Sequence, residues 1–448
     1  MDDHCAIDEQ VCLPNNDLPR IVVIGGGFAG LALVKALRSL EVQVVLIDRN
    51  NFHQFQPLFY QVATSSLEPD SIVFPFRKQL NGYKNAIFRY ADVQEIQASK
   101  NQVITDKGII QYDYLVMATG TKTNFFGLGE IEAFGLGMKS IQDSLNIRHM
   151  MIQNLEQAAI TCDDVERDKL TNFVIVGGGP AGVEMAGALA EFRRYVLPKD
   201  YPEYDADIMD IYLLEAADQL LGAMSDKASK ESLRYLTRMG VIVMLNEAVE
   251  HYNGSVVLTN KGTQLYARNL IWTAGVKGAL PRGIRSDSLV RGNRLLVNEN
   301  LNVRGYSNVF AIGDIASMTT EDSPTGHPQV AQVALQQGKY LGKVIKHMIV
   351  GRAYQKSFRY RDRGSLATIG KRRAVADLGK FRFAGYMAWV LWSVVHLFSI
   401  SGFRNRLMVG VNWAWNYLTF DKGNRLIIRH FEHKAVKSKA IKEVKSNE

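Results

Sequence analysis

Cysteine is scarce, with three in 448 residues. That excludes a disulfide-stapled secreted module, and Cys5, Cys12 and Cys162 are expected to stay reduced. The nine histidines are scattered, and no His/Cys spacing fits a metal cluster, so no metal is expected. Residues 1–20 lack a basic start and an apolar run, and carry five acids (Asp2, Asp3, Asp8, Glu9 and Asp17). The expectation is neither a secretory signal nor an Arg-rich transit peptide, and hence a cytosolic chain. Charge does not dominate either: charged residues are 22% and hydrophobic residues 47%, which excludes a disordered chain. A multi-span bundle with buried ionisable residues, as a proton pump requires, is also missing.

The length predicts two or three domains. The net charge of +8 is unevenly divided. Residues 351–448 hold 20 Lys and Arg against 6 Asp and Glu, leaving 33 against 39 in the first 350. An acidic body with a basic tail predicts a tail that meets an anionic surface.

One internal repeat organises the chain. IVVIGGGFAGLALVKAL starts at Ile21 and FVIVGGGPAGVEMAGAL at Phe173. Each predicts a buried strand, a glycine turn and a helix. The glycines Gly25, Gly27 and Gly30, and Gly177, Gly179 and Gly182, both fit G-x-G-x-x-G. In that pattern the first glycine permits the turn, the second lets the backbone approach a pyrophosphate, and the third lets helix and strand pack. The helix N-terminus offers free N–H groups to phosphates. An acid ends a later strand in both copies: Asp48 lies 18 residues after Gly30, and Glu215 lies 33 after Gly182. Each is expected to hold a ribose diol. Two dinucleotide sites suggest a resident flavin dinucleotide and a nicotinamide that comes and goes.

Further segments resemble two-dinucleotide-domain flavoproteins. YLVMATGTKTNFFG contains the A-T-G turn Ala118, Thr119 and Gly120, where the chain leaves the first domain. NLIWTAGVKG, with Ala274 and Gly275, resembles the strand that ends the second. NVFAIGDIA, with Gly313 and Asp314, resembles the late flavin motif, whose Asp contacts FAD. The chain most resembles the type II NADH:quinone oxidoreductases, the alternative, non-proton-pumping NADH dehydrogenases. RNNFHQFQPLFYQVATSSLEPDSI looks like that family's segment over the flavin. AQVALQQG (Ala331–Gly338) looks like its quinone-site motif, and the run to Ile428 resembles its membrane-binding tail.

The resemblance implies an α/β fold with two Rossmann-like dinucleotide-binding domains, the second inserted in the first, and a C-terminal helical membrane-binding region. The expected limits are 1–19 for an extension, 20–140 with 290–350 for FAD, 141–289 for NADH, and 351–448 for the membrane region. It implies tightly bound FAD, NADH as substrate, a membrane quinone as acceptor, and a homodimer. It places the protein peripherally on the cytoplasmic face of a cell membrane, the bacterial inner membrane being favoured, with no nucleic-acid partner. Glu184 is expected near the nicotinamide, the alternative being a helix-start carboxylate stabilised by the dipole. Gln332 and Gln336, four apart on one helix face, are expected to point at flavin and quinone, the alternative being an ordinary polar face. Glu215, with no Arg after it and Asp218 beside it, predicts NADH over NADPH by repelling a 2′-phosphate.

Absent residues discriminate among relatives. Disulfide reductases of this fold need a cysteine pair just after the first helix, where this chain has Asn51–Gln61. Sulfide:quinone oxidoreductases need mid and late cysteines; Cys162 is alone, an expected buried or bland thiol. A soluble reductase serving a ferredoxin-like protein, or a redox-sensing flavoprotein, stays as an alternative. In the tail, Phe383 to Phe403 is long enough to span a bilayer. Its Gly and Ser residues and its mid-segment Trp389 and Trp392 favour instead two helices in the interface, the second over Leu407–Phe420 with Asn412 and Asn416 on one face. Lys434, Lys437, Lys439, Lys442 and Lys445 suit anionic headgroups.

Overall fold

The computed structural model describes residues 9–204, 208–321, 323–419 and 423–433. Cys5 and the five tail lysines lie outside them. The described residues form two compact units. One takes 9–53, Phe74–Lys122 and Val276–Asp362; the other takes Gln54–Val73, Thr123–Gly275 and 363–433. Most of the second unit's sequence is therefore inserted within the first.

The first unit is built on the apolar, β-branched runs that favour buried parallel strands. Its sheet holds β1 (Arg20–Ile24), β2 (Gln43–Asp48), β3 (Ala86–Tyr90), β4 (Tyr114–Met117) and β10 (Val309–Ala311). The order is β10-β4-β1-β2-β3, all parallel, with Val22 opposite Val45 and Leu115. Ile21, Val22 and Val23 are fully buried. Helix α1 (Phe28–Leu37) follows the first glycine turn and packs against α4 (Ala331–Ile349). Gly338 and Gly342 allow the close approach: a Cβ on them would come within 2.4 Å of the Ala29 carbonyl and 2.5 Å of the Ala36 Cβ.

The second unit repeats the plan. Its strands are β5 (Leu136–Gly137), β6 (Phe173–Val176), β7 (Ile211–Glu215), β8 (Ile242–Leu245) and β9 (Asn269–Trp272). They run β5-β9-β6-β7-β8, all parallel. Both glycine turns thus leave the central strand at its carboxyl end, where strand order reverses and a crevice opens in doubly wound sheets. Helix α3 (Pro180–Tyr195) follows the second turn.

The C-terminal region packs within this second unit. An antiparallel sheet of β11 (Ser365–Thr368), β12 (Ala374–Leu378) and β13 (Phe381–Ala384) lies against α3. Asp377 ties it down by accepting from the Ser225 N–H at 2.6 Å and hydroxyl at 2.8 Å. Two helices complete it, α5 (Tyr386–Ser399) and α6 (Phe403–Thr419). The spanning reading of Phe383 to Phe403 gives way to a strand end, a 14-residue helix and a turn. At 1.5 Å per residue that helix is roughly 21 Å long, short of a ~30 Å hydrocarbon core. No helix among the described residues is long and apolar enough to cross a membrane. Cys12 and Cys162 are exposed thiols, and no metal-binding cluster occurs among the described residues.

Candidate functional site

The two glycine turns divide their labour alike. Gly25 and Gly177 have φ of +102° and +108°, where a side chain is strained, and a Cβ there would come within 2.3 Å of the Ala118 carbonyl and 2.7 Å of Ala274. On Gly30 and Gly182 a Cβ would come within 2.0 and 1.9 Å of the carbonyls of Gly25 and Gly177. On Gly27 and Gly179 it would meet nothing within 4 Å. The middle positions therefore face open space, as close approach of a pyrophosphate requires.

The strand-end acids are also a matched pair. Asp48 accepts from the Gly26 N–H at 2.7 Å and the Asn50 N–H at 2.8 Å. Glu215 accepts from the Gly178 N–H at 2.6 Å and the Ala217 N–H at 2.8 Å. Each carboxylate is locked to its glycine turn while about half of its roughly four acceptor sites stay unspent, enough for a ribose diol. Burial raises Asp48, against the lowering by those two N–H groups and Arg49.

The first cradle fits a dinucleotide by a further sign. Gly25, Asp48, Thr119 and Lys122 line a cavity of about 200 Å³. The Thr119 hydroxyl is buried there without a hydrogen-bond partner, an orphan that a ligand would satisfy. Gly120 lies in the same turn with φ of +66°. Asp314 accepts from the Thr121 hydroxyl at 3.3 Å. The Gly313 N–H donates to Gln337 Oε1 at 2.7 Å, tying the Gly313–Asp314 loop to α4. In the second unit Ala274 and Gly275 follow β9, Ala274 lying against Gly177.

The α4 glutamines part company. Gln332 is half-buried at the start of the helix. Gln336 spends both ends of its amide on Arg361, donating to the carbonyl at 2.9 Å and accepting from the N–H at 3.0 Å. Gln337, which the motif does not single out, is the buried amide that reaches the Gly313 loop. Its burial has no sequence signal beyond helical spacing.

Glu184 is the fifth residue of α3, because the helix starts at Pro180. It lies beyond the first turn, so burial and not the dipole governs it. Burial pushes its carboxyl up to about 8, opposed by the Thr368 N–H and Trp392. At neutral pH it holds a proton.

Beside Glu184, in the second unit, is a cavity of about 110 Å³ with aromatic walls: Tyr60, Trp389, Trp392, Trp413 and Tyr417. Gln61, Glu191, Thr368 and Lys371 add polar groups. Tyr60 and Gln61 come from α2 (Phe59–Ala63) and the tryptophans from α5 and α6. Lys371 donates to the last carbonyls of α6, at Asn416 and Tyr417. Sequence spacing could not group these lining residues, because they meet only through long-range packing.

Helix α6 has its polar face inward. Asn405 donates to the Val73 carbonyl at 2.7 Å, Asn412 to Glu68 at 3.1 Å and Asn416 to the Ser66 carbonyl at 3.1 Å. Leu407, Val411, Trp415 and Leu418, spaced along the opposite face, are 55–76% exposed. On α5, Met387 and Phe398 are 67% and 69% exposed.

Known proteins share this architecture. The family model for pyridine nucleotide-disulphide oxidoreductases matches residues 19–338, and that for the NDH2 C-terminal domain matches 363–420. The type II NADH:quinone oxidoreductase NdhA of Mycobacterium tuberculosis is 35% identical over 91% of this chain and 89% of its own length. Its companion Ndh from the same organism is 34% identical over 91% and 90%. The structure of NDH2 from Plasmodium falciparum in complex with NADH superposes with a TM-score of 0.84 at 20% identity, covering 92% of this chain and all of that one, which is a likeness of fold. With both glycine cradles, the C-terminal region and full-length relatives in agreement, the chain belongs to the family of type II NADH:quinone oxidoreductases.

Proposed function

We propose that this enzyme oxidises NADH and passes two electrons through bound FAD to a membrane quinone, without pumping protons. The observation that carries the quinone half is the aromatic cavity walled by α5 and α6, the two helices that show apolar faces outward. A helix with polar residues inward and apolar residues outward is unstable against water and suited to lipid. A quinone in lipid would then reach a ring-shaped apolar slot without crossing water.

The residues take the following roles. Gly25, Gly27, Gly30, Asp48, Ala118–Gly120, Gly313 and Asp314 hold the FAD. Gly177, Gly179, Gly182, Glu215, Ala274 and Gly275 hold NADH. The flavin supplies the chemistry of accepting a hydride and releasing two electrons. Glu184 keeps a proton in a dry setting next to Trp392 and Thr368. Gln332 is assigned to the flavin and quinone side, and Gln336 to holding the Arg361 segment. The protein binds peripherally to the cytoplasmic face of an anionic membrane through α5, α6 and the tail lysines, as a homodimer. A soluble ferredoxin-type reductase or a redox sensor leaves the inverted face of α6 without a purpose.

The test is steady-state turnover with a soluble short-chain quinone. One NADH consumed per quinone reduced is expected. A kcat/KM for NADPH comparable to that for NADH would contradict the role of Glu215.

A further inference from the structure

Three side chains at the cavity wall are hydrogen-bonded in series. The Trp413 indole N–H donates to Gln61 Oε1 at 2.8 Å. Gln61 Nε2 donates to the Tyr60 hydroxyl oxygen at 2.8 Å. An indole N–H can only donate. It therefore fixes the Gln61 carbonyl on the Trp413 side and the Gln61 amino group on the Tyr60 side. Tyr60 can only accept from Gln61, so its own O–H proton is left over.

Among the described residues Tyr60 accepts from Gln61 and donates to no one. The two acidic side chains that Tyr60 senses make other bonds: Glu191 accepts from the Lys371 N–H, and the protonated Glu184 from the Thr368 N–H at 3.4 Å. Tyr60 is 6% exposed, and it lines the cavity. A buried donor without a partner is costly, so a ligand that accepts there is favoured. Burial also holds the Tyr60 hydroxyl well above its ordinary range, so it stays protonated.

We propose that Tyr60 donates the hydrogen bond that holds a carbonyl oxygen of the quinone, and that Gln61 and Trp413 are positioning residues that set its polarity. The match is complementary, because a quinone carbonyl accepts only and the surrounding walls are flat aromatic rings. The proposal rests on the quinone reading of the cavity. It also gives α6 a second role, since docking of Trp413 aims the donor.

The test uses the full-length flavin-loaded enzyme, a soluble short-chain quinone, and ferricyanide as an acceptor that needs no quinone pocket. Tyr60→Phe keeps the ring and removes the proton. Its quinone KM should rise roughly fivefold, the worth of one hydrogen bond, with flavin content and the NADH–ferricyanide rate unchanged. Gln61→Glu still accepts from Trp413 but offers Tyr60 an oxygen in place of the amino group, which draws the Tyr60 proton away from the cavity. Its KM should rise equally. The double variant Y60F/Q61E should be no worse than Tyr60→Phe alone, since both changes remove the same donor. Ser393→Phe, which fills the cavity from α5, separates the two claims. If it raises the quinone KM while Tyr60→Phe does not, the donor assignment is wrong. Additive effects of Tyr60→Phe and Gln61→Glu overturn it as well. If Ser393→Phe also leaves KM unchanged, the quinone reading of the cavity falls and the donor role with it.

Discussion

Asp48 and Glu215 each accept from one backbone N–H of the glycine turn and from one N–H two residues further along their own strand end. Their positions were legible in the sequence because the controlling geometry is local: strand, three glycines, helix, strand-end acid. The glycines allow a sharp test of roles that look alike in the motif. Gly179→Ala places its methyl in open space, so thermal stability should hold while the KM for NADH rises about tenfold, the size of a ~1–3 kcal/mol steric cost at the ligand. Gly182→Ala drives its methyl against the Gly177 carbonyl, so it should lower stability by roughly 1–3 kcal/mol in thermal unfolding. Equal unfolding temperatures for the two variants would contradict this division. Glu184 has a pH signature. Its folded value, about 8, lies above its ordinary 4.5, so the folded chain keeps a proton that the unfolded chain has released. The stabilisation is full below 4.5 and is lost as pH rises through about 8. Glu184→Gln should flatten the fall in stability across that window; an unchanged slope in denaturant titrations would show that Glu184 does not carry it. Burial of Glu184 was invisible to the motif, since it depends on Thr368 and Trp392, which lie some two hundred residues on.

Among the elements, α5 and α6 carry the proposed membrane attachment. The 21-residue run from Phe383 is long enough for a span. Chain geometry decides otherwise: Gly385 turns the backbone with φ of +94° ahead of α5, and the helix stops at Ser399. In α6, the shared face of Asn412 and Asn416 was legible as periodicity, but its direction was not. Only the hydrogen bonds to Glu68 and Ser66 show that it points into the protein. The exposed stripe should therefore be the lipid contact. Replacing Leu407 and Leu418 together by Glu should abolish co-sedimentation with anionic vesicles while leaving the NADH–ferricyanide rate unchanged. Retained co-sedimentation would move the contact to other segments. The pairing of α4 glutamines shows the limit of spacing arguments: Gln332 and Gln336 share a face, yet Gln336 is consumed by the Arg361 backbone and Gln337 serves the Gly313 loop.

For the whole molecule, the insertion of one dinucleotide unit within another was readable from the order of the motifs: glycine turn, A-T-G turn, second glycine turn, late Gly313–Asp314. The inclusion of Gln54–Val73 in the second unit was not, because it follows from packing against α3 and α6. That segment supplies Tyr60 and Gln61 to the aromatic cavity. One chain joins an NADH half-reaction to a quinone half-reaction through its flavin. The most direct measurement is anaerobic: mix the purified enzyme with NADH, follow the flavin absorbance, then add a soluble quinone. Bleaching by NADH and prompt recovery on quinone addition are expected. Bleaching that quinone does not reverse, or no bleaching at all, would contradict such a coupling.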